Sequence, residues 1–326
     1  MKKHYLFIYF VVFYSLSVFV GCTQEVPQKP ELIKLPFAFL TTDSSTLMEN
    51  TPVLFNSRLF LVSNFRPSGG SNVDEKNSDL SINDLVTGAK VSRFGKSHSF
   101  VSAFVNNSEL NVFALDFTTS GKIWDHPDGI DRFVTNDLKN WESEKVIIPE
   151  SNEHLFNSSV CRDDKGYVMA YESDKPVQFC FKFARSNDLS KWDKMPGLSY
   201  TGENNEYSAC PVIRYFKPFY YVIYLHAPIP GHNGYISYMS RSKDLVNWEL
   251  SPFNPILEAN KEIGEGCNNS DVDILEYEGR TYLYYATGDQ ATWGTVRVAM
   301  YNGSMRKFYE NYFPEGIILK KISTIH

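Results

Sequence analysis

Three carboxylates stand where the chain turns into an apolar strand: Glu49, Glu206 and Asp271. Other ionisable or hydrogen-bonding residues hold similar places at strand starts and ends: Arg66, His98, Asp116, Asn157, Glu172, His226, Asn269, Asp273 and Asp289. Carboxyl groups gathered at one site cannot all ionise cheaply, so some keep their protons near neutrality. A protonated carboxyl can give its proton to a leaving oxygen while an ionised one serves as base or nucleophile, and that division of labour cleaves glycosidic bonds. Asp271 and Asp273 are two apart, which places them on one face of a strand. Trp124 and Trp293 lie in polar loops, where an indole face can hold the apolar face of a sugar ring. Each residue also has a plainer reading: Glu49 and Glu206 as solvated loop residues, His98 and His226 as structural histidines, Asp271 and Asp273 as a turn cap or an ion pair.

These residues are scattered over the whole chain, so the fold must gather them. A repeated turn shows how. Thr135-Asn136-Asp137-Leu138-Lys139-Asn140-Trp141, Ser186-Asn187-Asp188-Leu189-Ser190-Lys191-Trp192 and Ser242-Lys243-Asp244-Leu245-Val246-Asn247-Trp248 share one pattern, and Ser81 to Val86 is a relative without the tryptophan. A period of about fifty residues means stacked supersecondary units. In each turn Asp can bond its own backbone, Leu points inward, and Trp forms an apolar plate between units.

A second repeat precedes each turn: a polar start, a small apolar strand, a turn and an aromatic strand. It begins at Glu49, His98, Asn157, Tyr207 and Asn269. Three strands and a turn, five times over, predict an all-β, five-bladed propeller. The first strand of each blade then lies nearest the axis. Its start and the end of the antiparallel second strand share one face, so the residues named above would ring one mouth. The segment Met305 to Phe313 reads as a short helix or as the completion of the closing blade.

The chain has 326 residues, a formal charge of −6 and 15% aromatic residues, with no basic stripe, which argues against a nucleic-acid partner. Residues 1–22 read as a lipoprotein signal peptide. Lys2 and Lys3 precede an uncharged apolar run from Tyr5 to Val20, too short for a comfortable membrane span, and Gly21-Cys22 follows. Cys22 is the expected lipidation site and the chain's only expected contact with a membrane. Residues 23–39 read as a tether and 40–326 as the catalytic propeller. Cys161, Cys180, Cys210 and Cys267 fit no zinc spacing, and they read either as disulfide partners or as buried thiols.

The turns and strand starts resemble those of the five-bladed propeller glycoside hydrolases, families 43, 32, 62, 117 and 130, from roughly Leu40 to Pro314. Asn268 to Asp273, with Glu278-Gly279-Arg280-Thr281, looks most like family 117. In family 43 the base opens blade one and the acid is a Glu before a Pro on a later blade. Glu49 before Pro52 matches the first position, Glu206 before Pro211 matches the second at a longer spacing, and His98 replaces the Asp of blade two. The resemblance implies an exported, exo-acting glycosidase on oligosaccharides derived from polysaccharides, held at the outer membrane and facing the periplasm or the surface. Glu206 or a histidine would be the acid, and Glu49 or Asp271 the base or nucleophile, with inversion of configuration. No cofactor is assigned, although a structural calcium ion on the axis is raised. A non-catalytic glycan-binding propeller and a glycoside phosphorylase are the alternatives.

Overall fold

Short runs of β-branched and aromatic residues, punctuated by tight turns, leave this chain few alternatives to small antiparallel sheets. The computed structural model describes residues 27–39, 48–65, 75–119, 128–177, 179–202, 207–226, 234–289 and 294–324. After an N-terminal strand β1 (Ile33–Phe39), blade one comprises β2 (Asn50–Phe55), β3 (Arg58–Phe65), β4 (Asp79–Asp84) and β5 (Lys90–Phe94). Blade two is β6 (His98–Asn106), β7 (Glu109–Asp116), β8 (Ile130–Thr135) and β9 (Glu142–Ile147). Blade three is β10 (Leu155–Asp163), β11 (Gly166–Ser173), β12 (Cys180–Ser186) and β13 (Trp192–Tyr200). Blade four is β14 (Ser208–Phe216), β15 (Phe219–His226), β16 (Ile236–Ser242) and β17 (Asn247–Leu250). Blade five holds β18 (Ser270–Tyr277), β19 (Arg280–Gly288) and β20 (Gly294–Tyr301). The first strands β2, β6, β10, β14 and β18 neighbour one another around the axis, as a five-bladed propeller requires.

The repeated turns work as their residues suggest. In all three, the Asp carboxylate accepts the backbone N–H groups two and three residues on, at 2.7–2.9 Å. The Leu adopts a left-handed backbone, with φ of 63° at Leu138, 68° at Leu189 and 64° at Leu245. Bulky residues seldom accept that conformation. Here the cost is offset by burial, since Leu189 and Leu245 are almost fully enclosed. The tryptophans bridge blades. Trp141 stacks on Phe94 of blade one at 3.6 Å, and Trp248 on Phe183 of blade three at 5.9 Å.

At the N-terminal end an expectation needs correction, and at the C-terminal end the helical reading holds. The outermost strand of blade five is β1, paired antiparallel to β20, so the tether expected over 23–39 ends in a ring-closing strand. The C-terminal segment forms helix α1 (Met305–Asn311), and β21 (Lys320–Ser323) then adds a fifth strand to blade four. The closure is fastened electrostatically. Lys34 donates to the fully enclosed Glu265 at 2.6 Å and to Asn269 at 2.9 Å, and Tyr285 donates to Glu265 at 2.6 Å. Cys161, Cys180, Cys210 and Cys267 are all free thiols. Cys22 lies outside the described residues. Among those residues, no helix is long and apolar enough to cross a membrane.

Candidate active site

The first strands of four blades are bulged near their starts, in β6, β10, β14 and β18. A bulge re-aims the side chains beside it. Phe100, Cys210 and Asp271 take left-handed φ of 56°, 51° and 48° at these bulges, strain that a tightly packed setting must hold in place.

At the start of blade one, Glu49 is buried and accepts a hydrogen bond from Asn64 Nδ2 at the end of β3. In blade three, Asn157 donates to Glu172 at 3.0 Å, joining the start of β10 to the end of β11. Blade four reaches across. The Cys210 N–H donates to the same Glu172 oxygen at 2.9 Å, and the Cys210 thiol lies 3.0 Å from Asp271 Oδ1. Asp271 also accepts from Ser270 Oγ at 2.6 Å, and its backbone carbonyl faces Asn50 Nδ2 at 3.4 Å. Carboxylates from blades one, three and five thus share one mouth, linked through blade four. Beneath it, Glu49, Asn157, Cys210 and Asp271 line an axial cavity of about 20 Å³, room for roughly one water molecule.

Burial pushes the Glu172 carboxyl up to about 7; the donors Cys210 and Asn157 oppose this, and the charges of Asp271 and Glu49 add to it. Glu172 is therefore half-protonated near neutrality. Glu49 and Asp271 both sit among donors, as acceptor carboxylates do. Burial also raises the Cys210 thiol well above its ordinary value, with Asp271 and Glu172 reinforcing the effect. An aromatic wall flanks the mouth. Tyr207 stacks on Tyr235 at 5.5 Å and packs edge-on to Phe179 at 4.7 Å. The Tyr207 hydroxyl is pushed upward by burial and by the nearby Glu172.

Other residues expected at the mouth have partners of their own. His98 and Asp116 form a network within blade two: His98 faces Asp131 at 3.2 Å, and Lys145 binds Asp116 at 2.7 Å and Asp131 at 3.4 Å. His98, Asp116 and Asp131 could hold a metal by their spacing, but the Lys145 ammonium already supplies the cation. His226 packs against the ring of Tyr238 at 4.3 Å. Asn269 belongs to the Lys34–Glu265 fastening. Asp273 lies deeper on the axis, paired with Arg214 at 2.5 Å. Asp289 is exposed just past the end of β19. Arg66, Glu206, Trp124 and Trp293 lie outside the described residues. Calcium would need six to eight oxygen ligands. Glu49, Asn157, Asp271 and Asp273 offer such oxygens in the axial cavity, alongside Val101, Val212, Val272 and the Cys210 sulfur, and its volume of about 20 Å³ has room for little more than one water-sized sphere.

Asn64, Cys210, Tyr207 and Tyr235 join the site without having been expected there. Asn64 was within reach of the strand-end rule, which points instead to Arg66, two residues on. Tyr207 marks a strand start in the sequence repeat, but the repeat gives it no role. The inward aim of Cys210 depends on a bulge that composition does not reveal.

No protein-family profile matches this chain, and no curated protein matches it in sequence. Solved structures match its fold. One described simply as a glycoside hydrolase is 14% identical with a TM-score of 0.65, over 84% of this chain and 93% of that one. A thermostable family-43 glycoside hydrolase is 13% identical with a TM-score of 0.63, over 90% and 96%. A β-1,2-mannobiose phosphorylase from Listeria innocua is 12% identical with a TM-score of 0.58, over 86% and 99%. At such identities the likeness is one of fold, and that fold is a five-bladed propeller.

Proposed function

We propose that this protein is an exported glycoside hydrolase, exo-acting on oligosaccharides derived from polysaccharides and anchored to the outer membrane through lipid on Cys22. The observation that carries the hydrolytic reading is the cluster of acids at the mouth: Glu172, raised to about 7 by burial, stands beside Glu49 and Asp271, which accept hydrogen bonds from Asn64 and Ser270. A carboxyl raised by burial, with further carboxyl groups beside it, suits the acid of an acid and base pair. In this reading Glu172, rather than Glu206, gives its proton to the leaving oxygen. Asp271 or Glu49 supplies the carboxylate that activates water or attacks the sugar. Tyr207 and Tyr235 offer their rings to the apolar face of the sugar.

A second reading is a non-catalytic glycan receptor. It is favoured by the burial of all three acids, each under a tenth exposed and each already hydrogen-bonded. Phosphorolysis ranks last, since phosphate calls for a cluster of Arg, Lys and His, and the described lining of the axial cavity includes no arginine or lysine.

The test is incubation of the soluble form lacking residues 1–22 with a panel of plant and algal oligosaccharides. Release of monosaccharide, lost in Glu172→Gln and in the Asp271→Asn, Glu49→Gln double variant, supports the hydrolase. Binding without turnover supports the receptor. Release that survives every substitution removes these residues from the mechanism.

A further inference from the structure

The register of blade five fixes where the chain enters the ring. β18 begins at the mouth with Ser270 and Asp271 and ends at Tyr277 on the opposite, far face. β19 is antiparallel to β18 and β20 is antiparallel to β19, so β20 also runs from mouth to far face. β1 opposes β20, with Ile33 beside Met300 and Phe39 beside Val296. The N-terminal segment therefore enters at the far face and climbs toward the mouth. Upstream, Pro27 and Pro30 line a groove with Lys217 and Pro218, the far-face hairpin of blade four, and with Glu310 and Asn311 of α1.

The lengths decide the orientation. Five peptide links join Cys22 to Pro27, a reach of about 18 Å. A first strand of nine residues, such as β10 or β14, spans about 30 Å from mouth to far face. A tether that leaves the far face and reaches about 18 Å cannot carry the mouth round to the surface that holds it.

We propose that the propeller stands with its far face toward the lipid bilayer bearing Cys22 and that its mouth opens into water about 30 Å above that face. This rests on lipidation at Cys22 and not on hydrolysis. It restricts the ligand to glycans arriving from solution and excludes headgroups of the same bilayer.

The test compares hydrogen exchange in the full chain, recovered from membranes into phospholipid vesicles, with exchange in the soluble form lacking residues 1–22. Several-fold slower exchange is expected in the far-face hairpins at Ser57, Ser108, Lys165, Lys217 and Gly279, with no change at Asn50, Asn157 and Tyr207. Inserting about thirty Gly and Ser residues between Gln24 and Glu25 should abolish that protection while the lipid stays in place. Protection at the mouth, protection nowhere, protection that survives the insertion, or a mature chain without lipid on Cys22 would each overturn the proposal. None of these readouts depends on turnover.

Discussion

The Glu172 carboxylate accepts the backbone N–H of Cys210 at 2.9 Å, a bond that crosses from blade three to blade four. Because Cys210 sits at a bulge with φ of 51°, its N–H and its thiol both point into the site, the first toward Glu172 and the second toward Asp271. One strained residue thus contacts two acids from different blades.

Glu172 should impose a pH dependence on both stability and turnover. Its carboxyl rises from 4.5 to about 7 on folding, chiefly through burial. The folded state then holds more protons than the unfolded one across that interval, so stability falls as pH rises from about 4.5 to about 7, by on the order of 3 kcal/mol. Glu172→Gln should flatten this slope, read as melting temperature against pH, and should raise stability at pH 8. If Glu172 is the proton donor, turnover of the unmodified protein should also decline above about pH 7. A melting profile unchanged by the substitution would contradict the assignment.

The thiols should differ in reactivity. Burial pushes Cys161 and Cys180 up to about 12, and Cys210 is raised strongly as well. Thiolate is the reactive form. Titration of the soluble form with a thiol reagent at pH 7.5 should label Cys267 first and the other three only after unfolding. Rapid native labelling of Cys210 would show a more open mouth than the one described.

Lys34→Ala should destabilise the fold by about 3 kcal/mol, because it strips the cation from an enclosed carboxylate. Glu265 has no exposed side-chain area and keeps Tyr285 and the Asn260 N–H as partners. Adding Glu265→Gln to Lys34→Ala should recover part of the loss in denaturant unfolding. Equal and additive losses would show that the two residues do not act as a pair.

Trp248 is completely buried between blades three and four, stacked on Phe183 and tilted against Tyr200 at 4.7 Å. Trp248→Ala should cost about 3–5 kcal/mol by the cavity it leaves. Trp141, half-buried over Phe94, should cost less when truncated. Chemical denaturation of both variants orders them, and the reverse order would undo the interblade account.

The blades were legible in the sequence because their turn is local chemistry. Asp137, Asp188 and Asp244 each bond backbone only two and three residues away, so each copy can be read alone. The strand-end rule found Glu49, Asn157, Glu172 and Asp271 because antiparallel pairing carries register directly into space. It names His98 and Asp116, which do pair across the start of β6 and the end of β7, but not their partners Asp131 and Lys145, which come from the outer strands of the blade. It gave no hint that Lys34 closes the ring, since its partners stand more than 230 positions away. A proline-containing approach followed by a lone strand looks like a linker until its partner is known.

The pairing of β1 with β20 also sets an order of events during assembly. The first strand of the propeller to be synthesised must wait for nearly the whole chain before it can hydrogen-bond. Until it docks, β20 presents an unpaired edge, a template on which a second polypeptide could add. Maturation is therefore most vulnerable to aggregation in its last step, when every other blade can already be complete.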